Sequence, residues 1–303
     1  EFQEAQQLER RFGSDPVFVE GDNPPLLGAM ASCIHEELSA QPLVGFAWSL
    51  SRGEQVFEQA GGWARGPWEA VNPGLSMTPN QRLPIASVSK AISAAAIMKL
   101  LDEHGIDLDA PLLQTARERL TSTALLDNPG NPVLFAALSP NLALFSKSDA
   151  VTFRHLLTHF SGYHRTVCNE QEMLLQLFEG PATVPGSDSH YNGMNYCILE
   201  KFAEAMLPST FLVQERDKFE RFMAQVIFEP AGISDVLCLH NVSQRRAEAS
   251  TLFYNALSPA IQGAGYLWGF GLADKSDTFG VCSQGGLILS ARDLRLFLDW
   301  VDD

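Results

Sequence analysis

Ser87 and Lys90 stand three residues apart in PIASVSKAISAAAIMKLL, the stretch from Pro84 to Leu101. On a helix that spacing puts both side chains on one face, about 4.5 Å apart along the axis at ~1.5 Å of rise per residue. The serine hydroxyl and the lysine amine therefore come within reach of each other. A serine hydroxyl is a poor nucleophile at neutral pH, and a neighbouring base that takes its proton is the usual remedy. A lysine does this only when neutral, a state favoured by desolvation or by nearby positive charge. The apolar residues that follow Lys90 supply the burial. A nucleophile at a helix N-terminus also meets free backbone N–H groups, which stabilise an oxyanion. Because a Ser-x-x-Lys pair arises by chance about once in a chain of this size, its surroundings have to carry the assignment.

Ser87 through His104 is rich in helix formers and stops at Gly105, a natural C-terminal signal. Val88, Ala91, Ile92, Ala94, Ala95, Ile97, Met98, Leu100 and Leu101 leave almost no polar stripe, so the helix is expected to be buried on nearly every face. Upstream, PLVGFAWSLSRGEQVFEQAGGWA begins at Pro42 and has two β-rich runs around Ser51-Arg52-Gly53-Glu54, a hairpin pattern. Downstream, IDLDAPL and a Ser, Asn and Pro-rich stretch to about Ala150 read as loops with short helices. Thr152 to Thr158, Glu170 to Phe178, Tyr196 to Met206 and Phe211 to Phe228 read as helices. From Leu267, LWGFGLADKSDTFGVCSQGGLILS is strand-like and glycine-rich, and Ala291 to Val301 returns to helical period. No internal repeat or low-complexity segment stands out. The expected organisation is an α/β lobe at residues 1–105, a mostly helical lobe at 106–245, and a return to the α/β lobe at 246–303.

The chain has 303 residues, 46% hydrophobic and 19% charged, enough for one large packed domain or two lobes. Its 36 acidic and 21 basic residues give a net charge of -15, which repels phosphate backbones and anionic membrane surfaces, so a nucleic-acid partner is disfavoured. There is no apolar run long enough to imply a membrane span. The first residues, EFQEAQQLERRFGSD, lack a basic start followed by an apolar core. No signal peptide is visible and the cytoplasm is favoured, although a mature exported form would look the same. Cys33, Cys168, Cys197, Cys238 and Cys282 are odd in number and contain no C-x-x-C pair, which argues against a zinc site and a full disulfide framework. They read as ordinary core or semi-buried thiols. His155 and His159 are at i and i+4 in RHLLTHF, but Leu156 stands where a zincin has its catalytic glutamate and no third ligand is evident, so no metal is expected. The absence of a G-x-S-x-G elbow, a G-x-G-x-x-G loop or a Walker loop leaves no cofactor implied.

In this context the Ser-x-x-Lys pair resembles that of the serine β-lactamase and penicillin-binding-protein superfamily, in its class C β-lactamase, DD-peptidase and esterase branch. The segments that carry the resemblance are the hairpin, LPIASVSKAISAAAIMKLLDEHGIDLDAPL, VTFRHLLTHFSGY, VPGSDSHYNGMNYCIL, IFEPAGISDV and GGLILSARDLRLFL, in the family's order. It implies a β-lactamase/DD-peptidase-like α/β (α+β) fold, an antiparallel sheet flanked by helices plus a helical lobe. It also implies that Ser87 is the acylated nucleophile, Lys90 its base partner, and Tyr191, in the family's Tyr-x-Asn position, the phenolic acid/base.

The asparagine of that pattern is replaced by Gly193, flanked by Asn192 and Asn195, either of which can supply the missing amide. No Lys-Thr-Gly or His-x-Gly triplet follows GGLILSARDL; Lys275-Ser276-Asp277 is the nearest lookalike, precedes it and lacks the glycine. In the resemblance that third motif lies on a strand with the second oxyanion N–H, so a C-terminal segment or a second chain is expected to complete the sheet. The implied function is a serine hydrolase working through an acyl-serine on a small-molecule acyl substrate. A carboxylic ester comes first (esterase or acyltransferase), because recognition of a penicillin or peptide carboxylate relies on the third motif and the asparagine. The alternatives are a β-lactamase or DD-peptidase, and a non-catalytic relative that binds or assembles through the old cleft.

Overall fold

The computed structural model describes residues 25–41, 43–67, 73–119, 143–207, 218–238 and 282–302. Its first element is a helix that no local signal had marked, α1 (Pro25–Ala40). Leu27 and Ala31 of α1 pack on Phe57, with Trp48 and Leu50 alongside. These last three belong to the expected hairpin, β1 (Gly45–Arg52) and β2 (Gln55–Arg65), which pairs without interruption from Gly45↔Gly62 to Arg52↔Gln55. Only Gly53 and Glu54 lie between the strands. Gly53 takes φ +57°, the left-handed conformation that a two-residue hairpin turn demands. A short β3 (Leu75–Ser76) extends this sheet beside β2.

A second antiparallel sheet is built from β4 (Leu83–Pro84), β5 (Leu237–Cys238) and β6 (Leu287–Leu289), with β6 in the centre. All three β6 residues are buried, as a continuous apolar run flanked on both sides requires. A single helical turn (Ala86–Val88) leads from β4 into α2 (Ser89–Glu103), whose Ile92, Ala96, Ile97, Leu100 and Leu101 enter the main core. Burial on nearly every face is corrected here. Ala91, Met98, Lys99 and Asp102 remain exposed, because positions 91, 98 and 102 recur along one side of the helix and that side meets no other element among the described residues.

The helical region comprises α3 (Leu112–Arg119), α4 (Phe153–Leu157), α5 (Glu170–Glu179), α6 (Gly193–Met206) and α7 (Lys218–Met223), the last continuing into a wide turn at Ala224–Phe228. Helix α6 is the axle of this region, with Met194, Cys197, Leu199, Phe202 and Ala203 all buried. Phe202 meets Phe153 of α4 edge to face, with ring centroids 4.8 Å apart. The final helix, α8 (Ala291–Asp302), returns to the first sheet. Its Arg292 and Arg295 hold the buried Glu58 of β2, and its Asp299 accepts from Ser51 Oγ at 2.6 Å. Burial would raise the Glu58 carboxyl, but Arg292, Ser49 and Arg295 together keep it below its ordinary value.

Residues 120–142 of the expected loop region, 211–217 of the expected helix, and 267–281 of the glycine-rich run, including Lys275-Ser276-Asp277, lie outside the described residues. No helix among the described residues is long and apolar enough to cross a membrane. The reading of the cysteines is corrected: Cys168 pairs with Cys197 and Cys238 with Cys282, leaving Cys33 as an exposed free thiol. The partners are 29 and 44 residues apart, so local spacing carried no trace of them.

Phe202→Ala should leave a cavity between α4 and α6 and cost roughly 3–5 kcal/mol of stability. Denaturant unfolding beside the parent protein checks this; a loss well under 1 kcal/mol would mean that α6 is not the axle of the core.

Candidate active site

Ser87 sits at the junction of β4 and α2, and both sides of that junction are fastened to β6. The Ile85 N–H donates to the Leu287 carbonyl at 3.0 Å, and the Leu287 N–H donates to the buried Ser89 Oγ at 3.1 Å. Between these ties Ala86 is forced to φ +47°, a left-handed conformation that costs a non-glycine residue about 1–3 kcal/mol. The sharp corner leaves Ser87 exposed at the head of α2, in the first turn, where backbone N–H groups have no intrahelical acceptor.

The structure brings Ser87, Lys90 and Tyr191 into mutual contact. Lys90 is 8% exposed, and its Nζ donates to Ser87 Oγ at 3.3 Å and to the Gln284 carbonyl. The same Nζ lies 5.0 Å from the ring centroid of Tyr191 and 5.7 Å from that of Tyr196. Among the described residues its partners are thus hydroxyls, a carbonyl and two ring faces rather than a carboxylate. The Tyr191 hydroxyl donates to Ser87 Oγ. Burial would push the Tyr191 phenol up, but its hydrogen bonds with Lys90 and Ser87 and the Lys90 charge bring it below the ordinary value. Tyr191 remains 59% exposed, so the cluster opens to solvent on the phenol side.

The two asparagines beside Gly193 are committed elsewhere. Asn192 caps α6: its Oδ1 accepts from the Met194 N–H at 2.9 Å, and its Nδ2 donates to the Tyr163 carbonyl at 2.9 Å. Asn195 is fully buried, accepts from Ser161 Oγ at 2.8 Å and places Nδ2 3.2 Å from His159 Nδ1. Both amides are bound into the scaffold. The place beside Gly193 is occupied by Gln284, whose Oε1 would lie 2.5 Å from a Cβ built on Gly193. Gln284 comes from the loop Cys282–Gly286, held to α6 by the Ser283 N–H donating to Glu200 Oε2 at 2.8 Å and Ser283 Oγ donating to the Tyr196 carbonyl at 2.9 Å. Gln284 carries no sequence signal of its own, since its position is set by contacts with α6 and with Lys90, distant along the chain.

His155 and His159 do not converge as ligands. His155 Nδ1 accepts from the Thr152 N–H at 3.2 Å, closing a capping box on α4 in the role usually taken by Glu or Gln. His159, at φ +62°, turns its ring against Tyr191, with centroids 4.7 Å apart, and its Nδ1 accepts from the Asn192 N–H at 3.1 Å. Burial first, and then the Lys90 charge, hold His159 below its ordinary pKa. Among the described residues one group has metal-ligand types, Glu220 with Cys238 and Cys282, and its two sulfurs are joined as a disulfide and offer no thiolate.

Comparison with known proteins gives this geometry a family. The Beta-lactamase family model matches residues 30–302. The chain is similar to the acyltransferase calJ of Penicillium decumbens, 30% identical over 111 residues, which are 36% of this chain and 23% of that protein. It shares its fold with the octameric penicillin-binding protein homologue from Pyrococcus abyssi (TM-score 0.58, 21% identity, 90% of this chain and 55% of that one). The same holds for a class C beta-lactamase (TM-score 0.62, 14% identity, 93% and 66%). The match thus spans about a quarter of the curated relative and about half of the Pyrococcus abyssi chain.

His159 is held below the value of 6.5 that it has when unfolded, and His155 is lowered too, mainly by burial. The unfolded chain therefore binds more protons on acidification, so stability is full above pH 6.5 and falls as pH drops through the folded values. Melting temperature between pH 7.5 and 5 should decline, and the decline should be shallower in His159→Gln; identical slopes would remove His159 from this account.

Proposed function

Because the chain belongs to the beta-lactamase family, we propose that it is a serine hydrolase or acyltransferase that forms an acyl-enzyme on Ser87, with a carboxylic ester as the acyl donor. The observation that carries this reading is the contact of one exposed hydroxyl, Ser87 Oγ, with both Lys90 Nζ and the Tyr191 phenol. In the ionised state Tyr191 accepts the Ser87 proton while the Lys90 cation beside it stabilises the phenolate. Ser87 Oγ then attacks the acyl carbon, and the carbonyl oxygen becomes an oxyanion that the Ser87 N–H, in the first helical turn, is placed to bind. Tyr191 returns the proton to the departing alkoxide, leaving the acyl group esterified to Ser87. The acceptor, water or an alcohol, repeats the sequence in reverse with Tyr191 as its base.

An ester donor is favoured over a lactam or peptide because no asparagine side chain stands two residues after Tyr191, and because calJ, similar over part of this chain, is named an acyltransferase. On this reading the second oxyanion N–H comes from outside the described residues. The β-lactamase or DD-peptidase reading rests on the shared fold.

A fluorophosphonate should add one phosphonyl group, located at Ser87 by peptide mapping; the same labelling in Ser87→Ala would end the proposal. Lys90→Ala and Tyr191→Phe should each slow acylation roughly 10²-fold or more while melting temperature changes little. Parallel loss of rate and melting temperature would make these residues structural. Turnover of p-nitrophenyl acetate should exceed that of nitrocefin, and the reverse order would favour the lactam reading.

A further inference from the structure

The short segment that carries Tyr191 into the site is held on both sides by one residue. The His190 N–H donates to the His159 carbonyl at 2.9 Å, and the Asn192 N–H donates to His159 Nδ1 at 3.1 Å. Between these two bonds the imidazole lies against the Tyr191 ring, with centroids 4.7 Å apart, and against Tyr196 at 5.5 Å. His159 keeps φ +62°, a left-handed conformation that is costly outside glycine and persists only where tertiary bonds sustain it. The acyl-serine chemistry gives this histidine no proton to carry.

Its neighbours nonetheless fix its protonation state. Nδ1 meets two donors, the Asn192 N–H and, at 3.2 Å, Asn195 Nδ2. Ser161 orients that amide: its Oγ accepts from the Tyr163 N–H at 3.2 Å and donates to Asn195 Oδ1 at 2.8 Å, which leaves Nδ2 facing the histidine. A lone pair on Nδ1 answers both donors, whereas a proton there would oppose them. The Asn195 amide can turn over to meet such a proton. The Asn192 N–H belongs to the main chain and cannot, and Asn192 is buried, so losing its acceptor is costly. The titratable groups that face the imidazole are Lys90 of α2 and the phenols of Tyr191 and Tyr196, while His155, one turn earlier, is bonded into the cap of α4. Burial and the Lys90 charge disfavour the imidazolium more strongly than the Asn192 backbone favours it.

Resting on the acyl-serine reading, we propose that neutral His159 is a positioning residue: by accepting from the Asn192 N–H it holds the Tyr191 phenol on Ser87, and protonation of the imidazole releases that segment and stops acylation. The acid limb of acylation then contains two protons, one that Tyr191 must lose to act as base and one that His159 must not gain. An imidazolium beside the Tyr191 ring would by its charge alone favour the phenolate, so position and charge lead to opposite results.

The test is the second-order rate of Ser87 phosphonylation by a fluorophosphonate, followed by intact mass from about pH 8 to about pH 4.5, wherever tryptophan fluorescence shows the chain folded. Below the ordinary histidine value of 6.5 and below the Tyr191 ionisation, the logarithm of the rate should fall with a slope approaching two in the parent protein. His159→Leu keeps bulk against Tyr191 without an acceptor. It should react about tenfold more slowly at pH 8, as expected for one lost hydrogen bond, with a slope of one. His159→Asn places an amide oxygen near the position of Nδ1, does not titrate, and tolerates positive φ. It should recover most of the rate that His159→Leu loses, while its slope stays at one. A parent slope no steeper than that of His159→Asn, or His159→Leu reacting at the parent rate at pH 8, overturns the proposal, however far melting temperatures move. If Ser87 of the parent protein takes no label at any pH, the acyl-serine reading fails, and this inference with it.

Discussion

A lysine ammonium removed from water has to be solvated by something else, and the arrangement around Lys90 answers that requirement. Its Nζ is received by the Gln284 carbonyl, the Ser87 hydroxyl and the faces of Tyr191 and Tyr196, which together stand in for a hydration shell. None of these groups neutralises the charge outright. The cation remains available to lower the phenol of Tyr191, and that phenol hydrogen-bonds Ser87. The surrounding scaffold serves the same contact. Ser283 ties the 282–286 loop to Glu200 and Tyr196 of α6, while Ser89 and Ile85 tie the head of α2 to β6. Three elements distant in sequence therefore meet around one buried charge.

The parts of this arrangement that depend on neighbours in the chain were legible beforehand. Ser87 and Lys90 share a helix face because of their spacing, and the hairpin turn falls at Gly53 because few other residues take its φ without cost. Helix α6 begins at Gly193 rather than Tyr196, since Asn192 caps it, and a side-chain cap is a local signal that the periodicity of the apolar residues alone passed over. Tyr191 was reached through resemblance. Its contact with Ser87, across 104 residues, has no local cause.

Most of what escaped the sequence is fixed by a partner far along the chain. Helix α1 is held by the apolar side it turns to β2 and is weakly patterned by itself. Asn192 and Asn195 looked interchangeable as donors to a substrate until their tertiary partners assigned both to the scaffold. Gln284 is the sharpest case, because its carbonyl meets Lys90 across 194 residues. The two disulfides belong here as well.

Those disulfides lie close to the groups around Lys90. Cys197 follows Tyr196, and Cys282 opens the loop that carries Gln284. Closing segments of 29 and 44 residues, bonds of this kind contribute roughly 2–4 kcal/mol each by restricting the unfolded chain. Thiol pairs stay joined in oxidising surroundings and open where glutathione and thioredoxin keep them reduced. The redox conditions of folding therefore bear on how the 282–286 loop is held. Chains that mature with Cys238 and Cys282 as free thiols hold the Lys90 acceptor by hydrogen bonds and packing alone, and chains that oxidise first hold it covalently.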